Sequence, residues 1–264
     1  MQTLGFIGTG KMAKAIATGI YNSNKDIEIF VFDKNENNYD YFKKFDVNFC
    51  SDGKEVVKKS SYIVLAIKPQ NYLEVLEEIK DEIGKDTVLV SIAAGIGEDF
   101  LTSFLGFTPK FVQVMPNTPL LLGFGSVAVC RGKKVLDSEF CFAKEIFSKS
   151  GFVCEIPKDK MNDIISINGS SPAFIYYFTK GFLNFAEKKQ IGREKALKLF
   201  CHSLIGSAKM ILNSDGNLDK LIDDVCSKKG TTEKGIETLK ENNFLNIIEK
   251  TCEETSKRAF ELSK

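Results

Sequence analysis

Cysteine pairs of the C-x-x-C type are missing from this chain of 264 residues; its seven cysteines, Cys50, Cys130, Cys141, Cys154, Cys201, Cys226 and Cys252, are scattered and odd in number. Disulfides and a metal site are therefore not expected, and the thiols read as small apolar side chains. Histidine occurs once, at His202 in a helical stretch, where it reads as a structural or surface residue and leaves no imidazole to act as general acid. No apolar run approaches the roughly 20 residues that a bilayer span requires. Residues 1–8 enter a strand-like stretch without the charged start and cleavage site of a secretory signal. A charge imbalance is absent too: 36 Lys and Arg against 35 Asp and Glu leave a formal +1, which gives no pull toward nucleic acid or an anionic membrane. The expectation is a cytoplasmic protein with neither as a partner.

What is present begins with alternation. Up to about residue 155, short β-rich runs alternate with amphipathic stretches, the pattern of a mainly parallel sheet joined by crossover helices. The spans 4–8, 27–32, 62–68, 87–93, 110–115, 126–130 and 152–156 are the expected strands. The run from Tyr62 to Ile67 is apolar throughout, as in strands buried on both faces. After Pro157 only helical periodicity remains. The expected architecture is α/β, with a Rossmann-type doubly wound sheet over 1–157 and an all-α domain over 158–264. In that second part, Pro172 to Glu187 is apolar nearly all round, which fits either a central core helix or one shared with another subunit.

The most informative short motif is Gly8-Thr9-Gly10-Lys11-Met12-Ala13, a G-x-G-x-x-A that follows a strand and opens a helix. Gly8 permits the tight turn, Gly10 the approach of backbone to a diphosphate, and Ala13 the packing of helix on strand. A tight structural turn is the plain alternative; the β-α-β setting favours a dinucleotide, held by the amides at the helix start. At the end of the second strand, Asp33 is placed to bond the ribose hydroxyls of NADH and repel the 2′-phosphate of NADPH, whereas Lys34 could pair with that phosphate or lie in solvent. Both cofactors stay open.

Six further motifs run along the chain: 66–70 (Ala-Ile-Lys-Pro-Gln), 91–95 (Ser-Ile-Ala-Ala-Gly), 115–119 (Met-Pro-Asn-Thr-Pro), 169–173 (Gly-Ser-Ser-Pro-Ala), 206–210 (Gly-Ser-Ala-Lys-Met) and 226–232 (Cys-Ser-Lys-Lys-Gly-Thr-Thr). Each has a structural reading of its own, as a strand end, a proline turn or a helix cap. In this order and spacing, from residue 4 to 264, they resemble the pyrroline-5-carboxylate reductase family. The resemblance implies hydride transfer from NADPH or NADH to the cyclic imine 1-pyrroline-5-carboxylate to give L-proline. It implies cofactor contacts from Ile7, Gly8, Thr9, Gly10, Lys11, Met12, Asp33, Lys34, Ala66, Ile67, Lys68, Pro69, Ala94, Asn117 and Asp224. Substrate contacts would come from Ser170, Ser227, Gly230, Thr231 and Thr232, with the Thr232 hydroxyl on the ring nitrogen as the catalytic contact. It also implies a homodimer built through the helical domain, with room for a larger ring of dimers.

The chain departs from the family pattern in three places. Lys228-Lys229 stands where Pro-Gly is usual, so a looser or differently aimed turn is expected; Asp224 stands at a frequent asparagine, and Gly53 at an asparagine that contacts the cofactor. Rival readings are a β-hydroxyacid dehydrogenase, whose catalytic lysine has no counterpart in Pro172 to Phe178, and a non-catalytic NAD(P)-sensing protein, against which the substrate turn at 230–232 speaks.

Overall fold

Period-two alternation makes a strand with apolar residues at every position present a hydrophobic surface on both sides, so it can only sit in the middle of a layered domain. The computed structural model, which describes residues 2–23, 27–93 and 95–262, shows this arrangement. In chain order its first elements are β1 (Gln2–Ile7), α1 (Lys11–Asn22), β2 (Ile27–Phe32), β3 (Asn48–Phe49), α2 (Gly53–Lys59), β4 (Tyr62–Leu65) and α3 (Tyr72–Ile79). Then come β5 (Val88–Ser91), α4 (Glu98–Leu105), β6 (Lys110–Pro116), β7 (Gly125–Arg131), α5 (Asp137–Ser148) and β8 (Gly151–Glu155). Helices follow: α6 (Ile164–Ile167), α7 (Ser171–Lys188), α8 (Arg193–Leu212), α9 (Leu218–Val225), α10 (Thr231–Glu241) and α11 (Phe244–Leu262).

The strands form one sheet in the order β3-β2-β1-β4-β5-β6-β7-β8. All neighbours are parallel except β6 and β7, which are antiparallel. From β1 the chain winds outward to β2 and β3, then returns to the other side of β1 with β4. The order reverses between β1 and β4, and the carboxyl ends of those strands border a crevice of the kind that binds ligands in open α/β sheets.

Alternate residues of β4 feed opposite cores. Tyr62 and Val64 pack with Ile16, Ile20, Phe140 and Phe147 of α1 and α5 on one face. Ile63 and Leu65 pack with Val56, Leu76, Ile79 and Leu101 of α2, α3 and α4 on the other. Each such side chain stabilises the fold by about 1.5–3 kcal/mol through removal from water. Tyr72 is buried in the second core, where a bare phenol would be costly, but its hydroxyl donates to the Leu65 carbonyl at 3.1 Å and lies 2.6 Å from Ser91 Oγ. Burial pushes its pKa well above the ordinary phenol value.

Compactness separates residues up to Pro172, together with those from Glu253 onward, from a helical unit of Ala173–Cys252. The stretch 158–172, expected with the helices, groups with the sheet. In the helical unit, Phe182 stacks on Phe200 with ring centroids 4.0 Å apart, and Phe178 and Phe244 close the cluster. Yet α7 is not a core helix of its own chain. Leu183 and Ala186 are buried, while Tyr177 is 77% and Phe185 58% exposed. The all-round apolar face that suggested a core position is left uncovered within one copy.

Candidate active site

Eight of the fifteen cofactor residues expected from the sequence line one cleft. At the carboxyl ends of β1, β2 and β4, a cavity of about 280 Å3 is lined by Ile7, Gly8, Gly10, Asp33, Lys34, Ala66, Ile67 and Lys68. Gly8 has φ +94°, and a Cβ there would lie 2.5 Å from the Ala66 carbonyl oxygen, so only glycine lets β1 turn so close to β4. Gly10 differs: a Cβ added there would meet nothing within 4 Å, because this position faces open space. Gly10 is also the N-cap of α1, with no side-chain cap and no acidic residue in the first turn, which leaves that helix start to an anionic ligand. An open cradle over uncapped amides is the donor set that a dinucleotide diphosphate requires, and the residues present fit that group.

Asp33 is the most heavily bonded side chain of the cleft. Its Oδ2 accepts from the Thr9 amide at 2.7 Å, the Thr9 hydroxyl at 2.9 Å and Asn38 Nδ2 at 3.2 Å, and Oδ1 accepts from the Asn35 amide at 2.9 Å. Burial pushes the carboxyl pKa up, but these hydrogen bonds outweigh it and hold the group below its ordinary value. Lys34 points across the cleft to Glu74 Oε1, 2.6 Å away, and that bond raises its pKa. Thr9 is fully buried beneath the turn. Lys11 and Pro69 are exposed, Met12 is half-buried, and none of the three lines the cavity; Ala94 lies outside the described residues.

Asn117 is turned inward rather than outward. Its Nδ2 lies 2.9 Å from Ser126 Oγ, while its Oδ1 accepts from the Ser126 amide at 2.9 Å. Ser126 donates in turn to Asn168 Oδ1, and Asn168 Nδ2 donates to the Met115 carbonyl. The loop after β6 is thereby locked to β7 and to the turn before α7. Asn117 does not line the cleft at the ends of β1, β2 and β4.

The expected substrate residues gather in the helical unit, apart from Ser170, which lies half-buried in the turn before α7 and bonds through its amide to the Ile165 carbonyl. Asp224 and Ser227 are exposed at the end of α9 and in the turn behind it. Gly230 caps α10 without a side-chain cap, and its amide donates to the Ser227 carbonyl at 2.8 Å. The turn is not loose: Lys229 takes the left-handed conformation that favours glycine, at φ +59°, and its amide is held by Glu233 Oε2 at 2.5 Å. Thr231 is exposed at the start of α10. Thr232 and Ser207 edge a cavity of about 400 Å3 whose other walls are apolar, including Met210, Leu218, Ile222 and Val225. His202 is exposed on α8.

Sequence reading overlooked two walls of the cofactor cleft, Glu74 and Glu78. They stand at i and i+4 on α3, after the proline turn at Pro69, and that spacing on one helix face was the available signal.

Residues 158–262 match the pyrroline-5-carboxylate reductase dimerisation family, and residues 3–95 match the family described as NADP oxidoreductase, coenzyme F420-dependent. The pyrroline-5-carboxylate reductase of Escherichia coli strain K12 is 32% identical, over 100% of this chain and 99% of that protein. This chain belongs to the pyrroline-5-carboxylate reductase family. Two solved members superpose closely. The pyrroline carboxylate reductase of Plasmodium falciparum, determined with NADP bound, has a TM-score of 0.89 at 30% identity over 100% of this chain and 98% of that one. The pyrroline-5-carboxylate reductase of Coxiella burnetii has a TM-score of 0.92 at 29% identity, over 99% and 98%. As a family member the chain carries the dimerisation domain as well as the Rossmann-like sheet, and among the described residues no helix is long and apolar enough to cross a membrane.

Proposed function

We propose that this protein reduces the cyclic imine 1-pyrroline-5-carboxylate to L-proline with NADPH or NADH. The observation that carries the reading is the cleft at Gly8, Gly10 and Asp33, in a chain that matches the reductases over its whole length. Residues 1–157 would bind the dinucleotide, and 158–264 would supply the substrate turn and the contact between two copies.

When bound, the reduced nicotinamide supplies the hydride; the protein supplies position. The Thr231 and Thr232 amides at the start of α10 would offer a helix N-terminus to the substrate carboxylate, and Gly230, whose own amide is held by the Ser227 carbonyl, would let that carboxylate approach the turn closely. The Thr232 hydroxyl would hold the ring nitrogen. A cyclic imine accepts hydride readily once that nitrogen is protonated, so an enzyme that binds the iminium form needs no strong general acid. This agrees with the exposed position of the lone histidine on α8. Ser170 and Ser227 would be further substrate contacts, Lys11 and Met12 would add to the diphosphate site, and Ile67, Lys68, Pro69, Ala94, Asn117 and Asp224 would be further cofactor contacts.

The protein would work in the cytoplasm as a homodimer, which a ring of dimers could extend. The apolar cavity on α8 to α10 and the uncovered aromatic residues of α7 support a second copy as their cover. The test is absorbance at 340 nm with pyrroline-5-carboxylate and each nicotinamide separately: consumption of at least one is expected, and consumption of neither would overturn the assignment.

A further inference from the structure

We propose that the adenosine end of the cleft selects NADH over NADPH, and that Glu74 sets the selection by occupying Lys34. The inference rests on the reductase reading above and adds which of the two cofactors the chain is built to take.

Three carboxylates, Asp33, Glu74 and Glu78, face this cavity against two lysines, Lys34 and Lys68. Each carboxylate is held in place by a different donor. Thr9 fixes Asp33 with two bonds. Lys34 fixes Glu74 at 2.6 Å. The amide of Gly53 donates to Glu78 Oε1 at 3.1 Å, and a Cβ at Gly53 would lie 3.1 Å from that oxygen and 3.0 Å from Ile79 Cγ2, so glycine is what gives the carboxylate its room.

The two cofactors differ by one 2′-phosphate, which brings roughly two negative charges where NADH has a hydroxyl donor. A hydroxyl suits this wall. Asp33 Oδ2 already takes three donors, whereas Oδ1 takes only the Asn35 amide and keeps acceptor capacity. A phosphate meets acids on both sides, and the cation beside it is engaged. For Lys34 to reach the phosphate it must release Glu74, which sets a bare carboxylate facing the same cavity as the incoming anion. Lys68, which makes no ion pair among the described residues, lines the cavity from the end of β4, on the other side of β1 from Asp33 and Lys34. The hydrogen bonds on Asp33 also keep it ionised at neutral pH, so its repulsion of phosphate is not relieved by protonation.

The test is fluorescence titration of the purified full-length protein with NADH and with NADPH, without imine, for the wild type, Glu74→Gln, Lys34→Gln and the double variant. Glu74 is exposed, and circular dichroism checks that each variant is folded. The wild type is expected to bind NADH at least about tenfold more tightly than NADPH. Glu74→Gln should shrink that ratio by about fivefold or more, because it frees Lys34. Lys34→Gln should leave the ratio within about twofold in the wild-type background and restore discrimination in the Glu74→Gln background. Equal affinity of the wild type for both cofactors would overturn the proposal, as would an unchanged ratio in Glu74→Gln. Because no imine is present, selective NADH binding by a protein that reduces no imine would sink the reductase reading alone; imine reduction with equal affinities would sink this one alone.

Discussion

Thr9 grips Asp33 with two donors at once, its amide at 2.7 Å and its hydroxyl at 2.9 Å, both on the same carboxylate oxygen. The pair ties the glycine turn after β1 to the end of β2, so the floor of the cofactor cleft and its acidic wall are one hydrogen-bonded piece.

That pair makes stability depend on acid in a defined direction. The folded Asp33 carboxyl is held below its ordinary value of 3.8, so the unfolded chain binds the proton more readily. The stability contributed is complete above about pH 4 and is lost as pH falls through the folded pKa. Urea midpoints measured from neutral pH downward should drop below about pH 4 in the wild type, and less steeply in Asp33→Asn. Parallel acid limbs would remove the carboxylate from this role.

Gly8 and Gly10 should fail in different ways when changed to alanine. In Gly8→Ala the new methyl meets the Ala66 carbonyl at 2.5 Å in a backbone conformation that alanine disfavours, and a loss of about 2–4 kcal/mol is expected in thermal or urea unfolding. Gly10→Ala places its methyl in open space, so the melting temperature should hold while NADH binding weakens at least about tenfold. A Gly10→Ala protein that bound NADH normally would show that the diphosphate lies elsewhere.

Thr232 carries the proposed contact to the ring nitrogen, at the start of an uncapped helix. Thr232→Ala should lower kcat by about tenfold or more with cofactor affinity within about twofold, and Thr232→Ser should recover most of the loss. Steady-state kinetics settle it: equal turnover in wild type and Thr232→Ala would rule the hydroxyl out.

Ile222 lies in the wall of the apolar cavity between α8, α9 and α10. With a second copy as the cover, Ile222→Glu buries an unpaired carboxylate in the contact and should weaken dimerisation by about two orders of magnitude. Sedimentation equilibrium reads this directly, and an unaltered dimer would place the interface away from this cavity.

The sheet was legible because its strands are apolar runs between glycines and prolines, and the expected spans 27–32 and 110–115 agree with β2 and β6 to within a residue. β3 was missed because Asn48–Phe49 is two residues long and presents no apolar run. The antiparallel setting of β7 was not readable either, since alternation fixes faces and not direction. In the helical part, hydrophobicity was read correctly and its partner was not: Tyr177 and Phe185 are apolar without being covered by their own chain. That the glycine turn, Asp33 and Lys34 share one cleft was legible from spacing alone. Glu74 and Glu78 were passed over because acids on an amphipathic helix ordinarily belong to its solvated face, and only the fold brings that face against the end of β2. The inward aim of Asn117 depends on Ser126, 9 residues away, which is itself held by Asn168 a further 42 residues along the chain, and the three come together only in three dimensions.

Asp33 therefore serves two masters under selection. A substitution there that welcomed a 2′-phosphate would loosen Thr9 in the same generation, so the route is steep even when the new cofactor is abundant. Position 74 is exposed and anchors no turn. Descendants of this sequence that change their reductant are expected to carry their earliest replacement at 74, with 33 following only after the glycine turn has found another brace.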